Sequence, residues 1–243
     1  MAKRSRSVRP GPARPKRAGT VRGLLGFVVG AVGLVHLYAL VLIWAPVPAT
    51  FTMLQSRIAG PDVGYLWTPL EEMSPHLIRA VIAGEDTRFC DHSGIDLDAI
   101  GEALAERRAS GRVRGASTLS QQTAKNVFLW NGGGWLRKVP ETWFAVLIDG
   151  VWGKRRILEV YLNVAEWGDG RFGGEAAARH YFGKSAADLS RLEASRLAAV
   201  LPSPNRWKAE PPGPYVRRQS ATLRRRMDVI ERDGLAACVL DRR

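Results

Sequence analysis

Cysteine is scarce in this sequence, and metal-binding patterns are missing. The chain of 243 residues contains two cysteines, Cys90 and Cys238, with no CxxC motif and no Cys/His cluster. Two cysteines cannot build a disulfide scaffold, and a structural zinc site needs four ligands at characteristic spacing. A bridge between the two is permitted outside the cytoplasm, although nothing in the sequence requires one. The globular part must therefore be held together by an ordinary hydrophobic core.

Acidic residues are absent from residues 1–22, which contain eight lysines and arginines. This segment accounts for eight of the net +13 charges, which leaves +5 for the rest of the chain. The remainder is only mildly basic, so the high isoelectric point does not indicate a nucleic-acid partner. We interpret residues 1–22 as a basic cytoplasmic tail.

The sequence has only one long apolar run, residues 23–45, in which His36 is the only ionisable residue. At about 1.5 Å per residue, a helix of this length crosses a hydrocarbon core of about 30 Å. The basic tail before it places residues 46–243 on the outer face of the membrane. A cleaved signal peptide is the alternative, but its apolar region is about 7–15 residues long, and Pro46 and Pro48 fit a cleavage site poorly.

Strand signals are few after residue 46, and helical patterns follow one another. Apolar residues recur at helical spacing, with capping residues before several of the runs. The sequence predicts a mostly α domain with helices over 74–84, 96–109, from 118, 137–151, 154–162, 173–182, 189–200 and 214–231. We interpret residues 46–73 as a stalk or an entry segment and place the domain boundary near residue 50.

The densest polar cluster is residues 84–96, directly after an apolar helix. It contains Glu85, Asp86, Asp91, His92 and Asp96. A glutamate at such a helix end is open to partial desolvation, which raises its pKa toward the range of a general base. An acidic, solvated loop with a helix cap is the alternative interpretation.

A second polar cluster covers residues 115–126. Gln121 and Lys125 lie four residues apart on one helix face, and Ser117 and Thr118 lie at the amino end, where free N–H groups favour anions. Together with Asn126 they form a candidate phosphate site. A capped polar surface helix explains the same residues equally well.

A third cluster lies on the helix predicted over 137–151. Arg137, Glu141 and Asp149 fall on one stripe at steps of four, and Lys138 flanks it. Either Arg137 and Glu141 form a weak surface pair, or Glu141 is a carboxylate held among basic groups that bind a leaving phosphate.

Together these clusters resemble glycosyltransferase family 51, the glycosyltransferase domain of penicillin-binding proteins, and especially its monofunctional members. The motif E-D-x-x-F-x-x-H-x-G-x-D is complete at Glu85, Asp86, Phe89, His92, Gly94 and Asp96. The motif G-x-S-T-x-x-Q-Q-x-x-K-N is complete at Gly115, Ser117, Thr118, Gln121, Gln122, Lys125 and Asn126. R-K-x-x-E, I-L-E-x-Y-L-N and a fifth pattern from Ala176 to Trp207 follow in order. Asp149 is a departure, since many members carry glutamate there.

The resemblance implies a lysozyme-like helical domain preceded by one transmembrane helix, with a smaller lobe that packs on the membrane. It also implies polymerisation of lipid II onto a lipid-linked growing glycan, through inverting β-1,4 transfer with release of undecaprenyl diphosphate. The expected location is the bacterial inner membrane, with the catalytic domain in the periplasm. Other cell-wall synthesis proteins are expected partners.

The resemblance also assigns residue roles. Glu85 is the expected general base. Glu141 is the second expected catalytic residue, which organises the diphosphate side and could hold a divalent cation such as Mg²⁺ or Mn²⁺ there. Asp86, Phe89 and His92 are the expected supports of the loop that carries Glu85. The residues expected to bind substrate or diphosphate are Lys125, Arg137, Lys138, Ser117, Thr118, Gln121 and Asn126.

Two other functions share some of these features. A lytic transglycosylase or lysozyme-like hydrolase would have a helical fold and a catalytic glutamate, but no need for a diphosphate clamp. A non-catalytic scaffold for wall synthesis would have no need for Glu85 and Glu141 in their motif contexts.

Overall fold

The computed structural model describes residues 17–60, 62–111 and 115–241. The chain divides into two compact units, one ending at Leu40 and the other beginning at Val41. Most of the predicted basic tail, residues 1–16, lies outside the described residues.

Among the described residues, the first unit consists of helix α1 (Arg17–Val41) as far as Leu40. Its segment Arg22–Val41 is the one helix among the described residues that is long and apolar enough to cross a membrane. The helix ends four residues before the predicted end at residue 45. The N–H groups of Trp44 and Ala45 both turn back to the carbonyl of Val41, and Pro46 disfavours a helical conformation in the residue before it.

The second unit is mostly helical, as predicted. Its helices are α2 (Phe51–Ala59), α3 (Pro75–Glu85), α4 (Leu97–Ser110), α5 (Leu119–Phe128), α6 (Gly134–Val164), α7 (Gly174–Phe182), α8 (Arg191–Val200), α9 (Pro214–Arg232) and α10 (Ala237–Leu240). Short 3₁₀ turns cover Leu70–Glu72 and Ala186–Asp188, and the two-residue strands β1 (Gly64–Tyr65) and β2 (Arg171–Phe172) pair in parallel.

The helix starts that the sequence indicates are confirmed by their capping bonds. Ser74 Oγ accepts the N–H of His76, and Asp96 Oδ1 accepts the N–H of Ala99 at 2.8 Å. Thr118 begins α5 with a complete capping box. The two helices predicted over 137–151 and 154–162 are joined in α6, but Gly153 between them has the non-helical φ of 72°.

Residues 46–73, interpreted from the sequence as a stalk or an entry segment, contain regular structure that the sequence did not predict. Thr50 caps α2 by accepting the N–H of Met53, and the side chain of Met53 is buried. β1 and the first 3₁₀ turn follow α2. Strands of two residues are too short to show the alternation by which strands are read from sequence.

The core of the second unit is built from α3, α5, the second half of α6, and α8. α3 packs against α8 and α9, while α5 packs against α6. Fully buried residues of this core include Leu77, Ile82, Leu119, Ile157 and Leu197.

A disulfide bond links Cys90 to Cys238, with the Cα atoms 5.8 Å apart. Sequence reasoning permitted this bridge without requiring it. The bond ties the loop between α3 and α4 to α10, so the loop that carries the first polar cluster is attached to the C-terminal part of the domain.

The first half of α6 presents an apolar stripe to the outside. Trp135 is 88% exposed, Val139 74% and Trp143 60%. On α2, Phe51 and Ile58 are also exposed. Soluble proteins rarely leave a row of large apolar side chains uncovered, so this stripe indicates a surface that meets an apolar partner.

Candidate active site

Glu85 is the last residue of α3 and is half-buried. Desolvation raises the pKa of its carboxyl group, and the neighbouring charge of Asp86 raises it further. A hydrogen bond from Gln122 and the charge of Lys125 act in the opposite direction. Glu85 is thus a carboxylate with a raised pKa that still has two groups stabilising its charged form.

Gln122 lies between Glu85 and a buried tyrosine. Its Nε2 donates to Glu85 Oε2 at 2.8 Å, and its Oε1 accepts from the hydroxyl of Tyr161 at 3.3 Å. With both ends of the amide engaged, the bond to Glu85 has a fixed direction. The sequence placed Gln122 on one helix face with Asn126 and placed Tyr161 within a motif, but it predicted neither the bond from Gln122 to Glu85 nor the one from Tyr161 to Gln122.

Asp86, Phe89 and His92 hold the loop in place. Asp86 Oδ2 accepts the N–H of Leu119 at 2.9 Å and faces His92 Nε2 at 3.0 Å. Phe89 is completely buried, with His92 against the edge of its ring. These contacts join the loop to the amino end of α5, and the supporting role of the three residues in catalysis stays a prediction.

A buried ion pair that sequence reasoning missed also positions this loop. Lys154 Nζ lies 2.7 Å from Asp149 Oδ2 and donates to the backbone carbonyl of His92. Lys154 also lies over the ring of Phe89, and Asp149 accepts from the hydroxyl of Ser120. The pair connects the loop, α5 and α6. Asp149, shorter than the glutamate of many family members, is therefore part of the support.

Glu141 is buried between two cations. Its side chain contacts Arg137 Nη1 and Lys138 Nζ, each at 2.5 Å, and the residue is only 3% exposed. Lys138 also donates to Ser117 Oγ at 3.0 Å. A weak surface pair between Arg137 and Glu141 is therefore ruled out by burial, and the interpretation of a carboxylate held among basic groups agrees with the geometry.

Lys125 connects this cluster to Glu85. Burial and the charges of Arg137 and Lys138 lower the pKa of its amine, whereas the carboxylates of Glu141 and Glu85 raise it. Ser117, which accepts from Lys138, also lines one cavity with Glu85. The predicted base and the predicted diphosphate cluster therefore belong to one neighbourhood.

Gln121, Thr118 and Asn126 are three further predicted substrate ligands. Gln121 Oε1 accepts the N–H of Thr118 at 3.1 Å, and Thr118 Oγ1 donates to the carbonyl of Gly94 at 2.6 Å. Both residues are buried and organise the amino end of α5, so their role in substrate binding stays a prediction. Asn126 is half-buried and lines a cavity beside Lys125.

Two cavities include residues of this neighbourhood. One, of about 420 Å³, is lined by Glu85, Ser117, Thr118 and the arginines Arg88 and Arg226, among others. The other, of about 270 Å³, is lined by polar residues that include Gln122, Lys125, Asn126, Asn131, Tyr161 and Glu166. Because residues of one short segment, 115–126, contribute to both, a substrate with several polar parts has room around Glu85.

Known proteins are similar to this sequence over most of its length. A family model described as "Transglycosylase" matches residues 56–232. This chain belongs to the transglycosylase family.

Curated relatives of this transglycosylase are named "Biosynthetic peptidoglycan transglycosylase". The protein of Rhodospirillum centenum is 57% identical over 200 residues, covering 82% of this chain and 86% of the relative. The protein of Pseudomonas aeruginosa is 52% identical, covering 84% and 89%. That of Caulobacter vibrioides is 46% identical, covering 88% and 92%.

The side chains of this transglycosylase do not fit a metal held by Glu141. Both Glu141 oxygens are already paired with cations, and within the described ranges no three His, Cys, Asp or Glu side chains gather as a metal site. Divalent magnesium takes oxygen ligands and would compete with Arg137 and Lys138 for the same carboxylate. We therefore derive no step through a protein-bound metal.

Proposed function

We propose that this transglycosylase polymerises lipid II into β-1,4-linked peptidoglycan strands and releases undecaprenyl diphosphate. The observation that carries the proposal is the position of Ser117, which lines one cavity with Glu85 and accepts a hydrogen bond from Lys138 of the cationic cluster. A base and a cationic cluster beside one cavity suit a reaction that takes a proton at one end and releases a diphosphate at the other. The names of the relatives support peptidoglycan as the product.

Glu85 acts as the general base in this proposal. Its carboxylate accepts the proton of the acceptor 4-hydroxyl while that oxygen attacks the anomeric carbon of the donor. A sugar hydroxyl is a weak nucleophile until a base takes its proton, and a base works best when its pKa approaches the working pH. The pKa of Glu85, raised by burial, supports this role.

Arg137, Lys138 and Lys125 receive the leaving group. As the bond from the anomeric carbon to the phosphate oxygen breaks, its electron pair goes to the diphosphate, which gains negative charge. Cations already in position stabilise this charge more in the transition state than in the ground state. Glu141 keeps Arg137 and Lys138 oriented through its two short contacts.

Attack and departure on opposite faces of the anomeric carbon invert its configuration. The α-linked donor sugar then becomes β-linked, and the proton resides on Glu85. A hydrolase that cuts finished strands would release no diphosphate, so the cationic cluster favours synthesis over hydrolysis.

The membrane location has three supports. α1 contains a segment long and apolar enough to cross a membrane, and both proposed substrates are lipids. The Cys90–Cys238 bond suits a domain outside the cytoplasm. The apolar stripe at Trp135, Val139 and Trp143 suits a domain that rests on the bilayer. We therefore place the N-terminus in the cytoplasm and the second unit in the periplasm. Association with other cell-wall synthesis proteins stays a prediction.

The test is a lipid II polymerisation assay on the full chain in vesicles. Glu85→Gln keeps the shape of the side chain but cannot take a proton, so we expect the turnover rate to fall by about 10²–10⁴-fold. Asp91→Asn is the matched control, because Asp91 is an exposed acid of the same loop and should tolerate the change. A Glu85→Gln protein that polymerises lipid II at the wild-type rate would overturn the assignment of the base.

A further inference from the structure

Glu166 is a carboxylate in the wall of the 270 Å³ cavity that the proposed mechanism does not use. The same cavity is lined by Gln122, the partner of Glu85, and by Lys125. Glu166 also lines a neighbouring open groove together with Asn205. It therefore lies where the two spaces meet, in the cavity that also holds the hydrogen-bond partner of Glu85.

The backbone places Glu166 and Asn205 side by side. A β-bridge pairs Glu166 with Phe172, and the N–H of Trp167 donates to the carbonyl of Arg171 at 2.8 Å. Gly168 then approaches the turn before Asn205 so closely that an added Cβ would lie 2.5 Å from the carbonyl oxygen of Pro204. Only glycine allows this approach, so the position of Glu166 is built into the fold.

The surroundings of Glu166 leave its charge without an ionic partner. Burial raises the pKa of its carboxyl group, and the hydrogen bond with Asn205 is the opposing influence. In the described part of the chain, Glu166 takes part in no salt bridge, although most acidic residues of the second unit do. A carboxylate has more acceptor capacity than the single Asn205 amide fills, so a ligand with hydrogen-bond donors can be accommodated beside it.

We propose that Glu166 and Asn205 bind one N-acetylhexosamine ring of the substrate and position it for transfer. This inference rests on the proposed function. The carboxylate accepts hydrogen bonds from ring hydroxyls or from the acetamido N–H of the sugar, and the Asn205 amide both donates and accepts. Glu166 is thus a positioning residue, distinct from the base.

The rest of the cavity agrees with a sugar as occupant. Amide side chains of Gln122, Asn126 and Asn131 offer donors and acceptors, and Pro202 and Pro204 offer apolar surface for the C–H face of a ring. Binding sites for small polar ligands combine apolar walls with a few fixed polar groups in this way.

The experiment measures steady-state kinetics of the full chain with two substrates. Lipid II is varied at saturating donor, and then the donor, a tetrasaccharide on the same lipid diphosphate, is varied at fixed lipid II. For Glu166→Gln and Asn205→Ala we expect the KM of one substrate to rise about tenfold, as the loss of a hydrogen bond to a charged group predicts, with kcat within about twofold. A higher KM for the donor places the ring on the donor, and a higher KM for lipid II places it on the acceptor.

The control is Asp188→Asn, an exposed acid in a 3₁₀ turn, which should leave both KM values unchanged. Unchanged KM values for both Glu166→Gln and Asn205→Ala would overturn the inference.

A third arm uses lipid II with its stem peptide shortened to one residue. If the KM defect disappears there, the group bound is the peptide, and the sugar assignment is wrong. The proposed function fails separately, if wild type forms no polymer or Glu85→Gln keeps its kcat.

Discussion

Gln122 Nε2 donates a 2.8 Å hydrogen bond to Glu85 Oε2. The bond joins the start of the second turn of α5 to the last residue of α3, 37 positions apart in the chain. It stabilises the charged form of a carboxylate whose protonated form is favoured by burial. The pKa of the proposed base is therefore set by two elements that only the fold brings together.

The first prediction concerns the pH dependence of Gln122→Leu. Without the amide, the carboxylate of Glu85 loses a donor, so its already raised pKa should rise further. Because the base acts in its deprotonated form, the acidic limb of the kcat/KM profile should move to higher pH. Gln55→Leu, at an exposed position of α2, is the control and should keep the wild-type profile. A limb that stays in place, or moves to lower pH, would contradict the assignment.

The second prediction concerns Lys125→Met. Removal of a cation that interacts with both carboxylates should lower kcat by about 10²–10³-fold, because preorganised charge acts mainly on the transition state. Lys125→Arg should recover part of this loss. Lys184→Met serves as the control, since Lys184 pairs with Glu193 in another part of the domain. The measurement is polymer formed per minute at saturating lipid II, and a change confined to KM would argue for binding alone.

The third prediction concerns the Asp149–Lys154 pair, whose side chains are 9% and 14% exposed. Either single change, Asp149→Ala or Lys154→Met, leaves a buried charge unpaired and should destabilise the domain by about 3 kcal/mol. The double variant should be more stable than the sum of the two single losses predicts. Thermal unfolding of all four proteins measures this coupling. Strict additivity would mean that the two side chains do not interact.

The fourth prediction concerns divalent metals. Because Arg137 and Lys138 occupy both oxygens of Glu141, Mn²⁺ added without lipid should bind wild type and Glu141→Gln equally weakly. Electron paramagnetic resonance of free Mn²⁺ gives the comparison directly. A site present in wild type and lost in Glu141→Gln would restore Glu141 as a metal ligand.

Local interactions explain most of the sequence predictions that were confirmed. The caps at Ser74, Asp96 and Thr118 bond to residues two or three positions away, so the sequence shows them directly. The break at Gly153 was likewise visible as a gap between two apolar patterns. The missed helix α2 is short, and its buried side chains Thr52 and Met53 do not form a recognisable stripe.

The candidate site was predicted less completely, because many of its contacts join residues that are far apart in the chain. Motif spacing identified Glu85 and Glu141, but it did not distinguish the buried, capping Gln121 from Gln122, which reaches the base. Lys154 and His92, 62 positions apart, carried no signal of their contact.

By itself the sequence determined the apolar run that makes α1, the caps and periodicity of the helices, and the motifs that indicate the family. Each depends on residues a few positions apart or on residue identity alone. Only the tertiary structure decided that Glu141 is buried between two cations, that Cys90 meets Cys238, and that Glu166 and Asn205 share a wall. Burial, desolvation and charge pairing depend on which distant segments pack together, and that arrangement is a property of the folded chain.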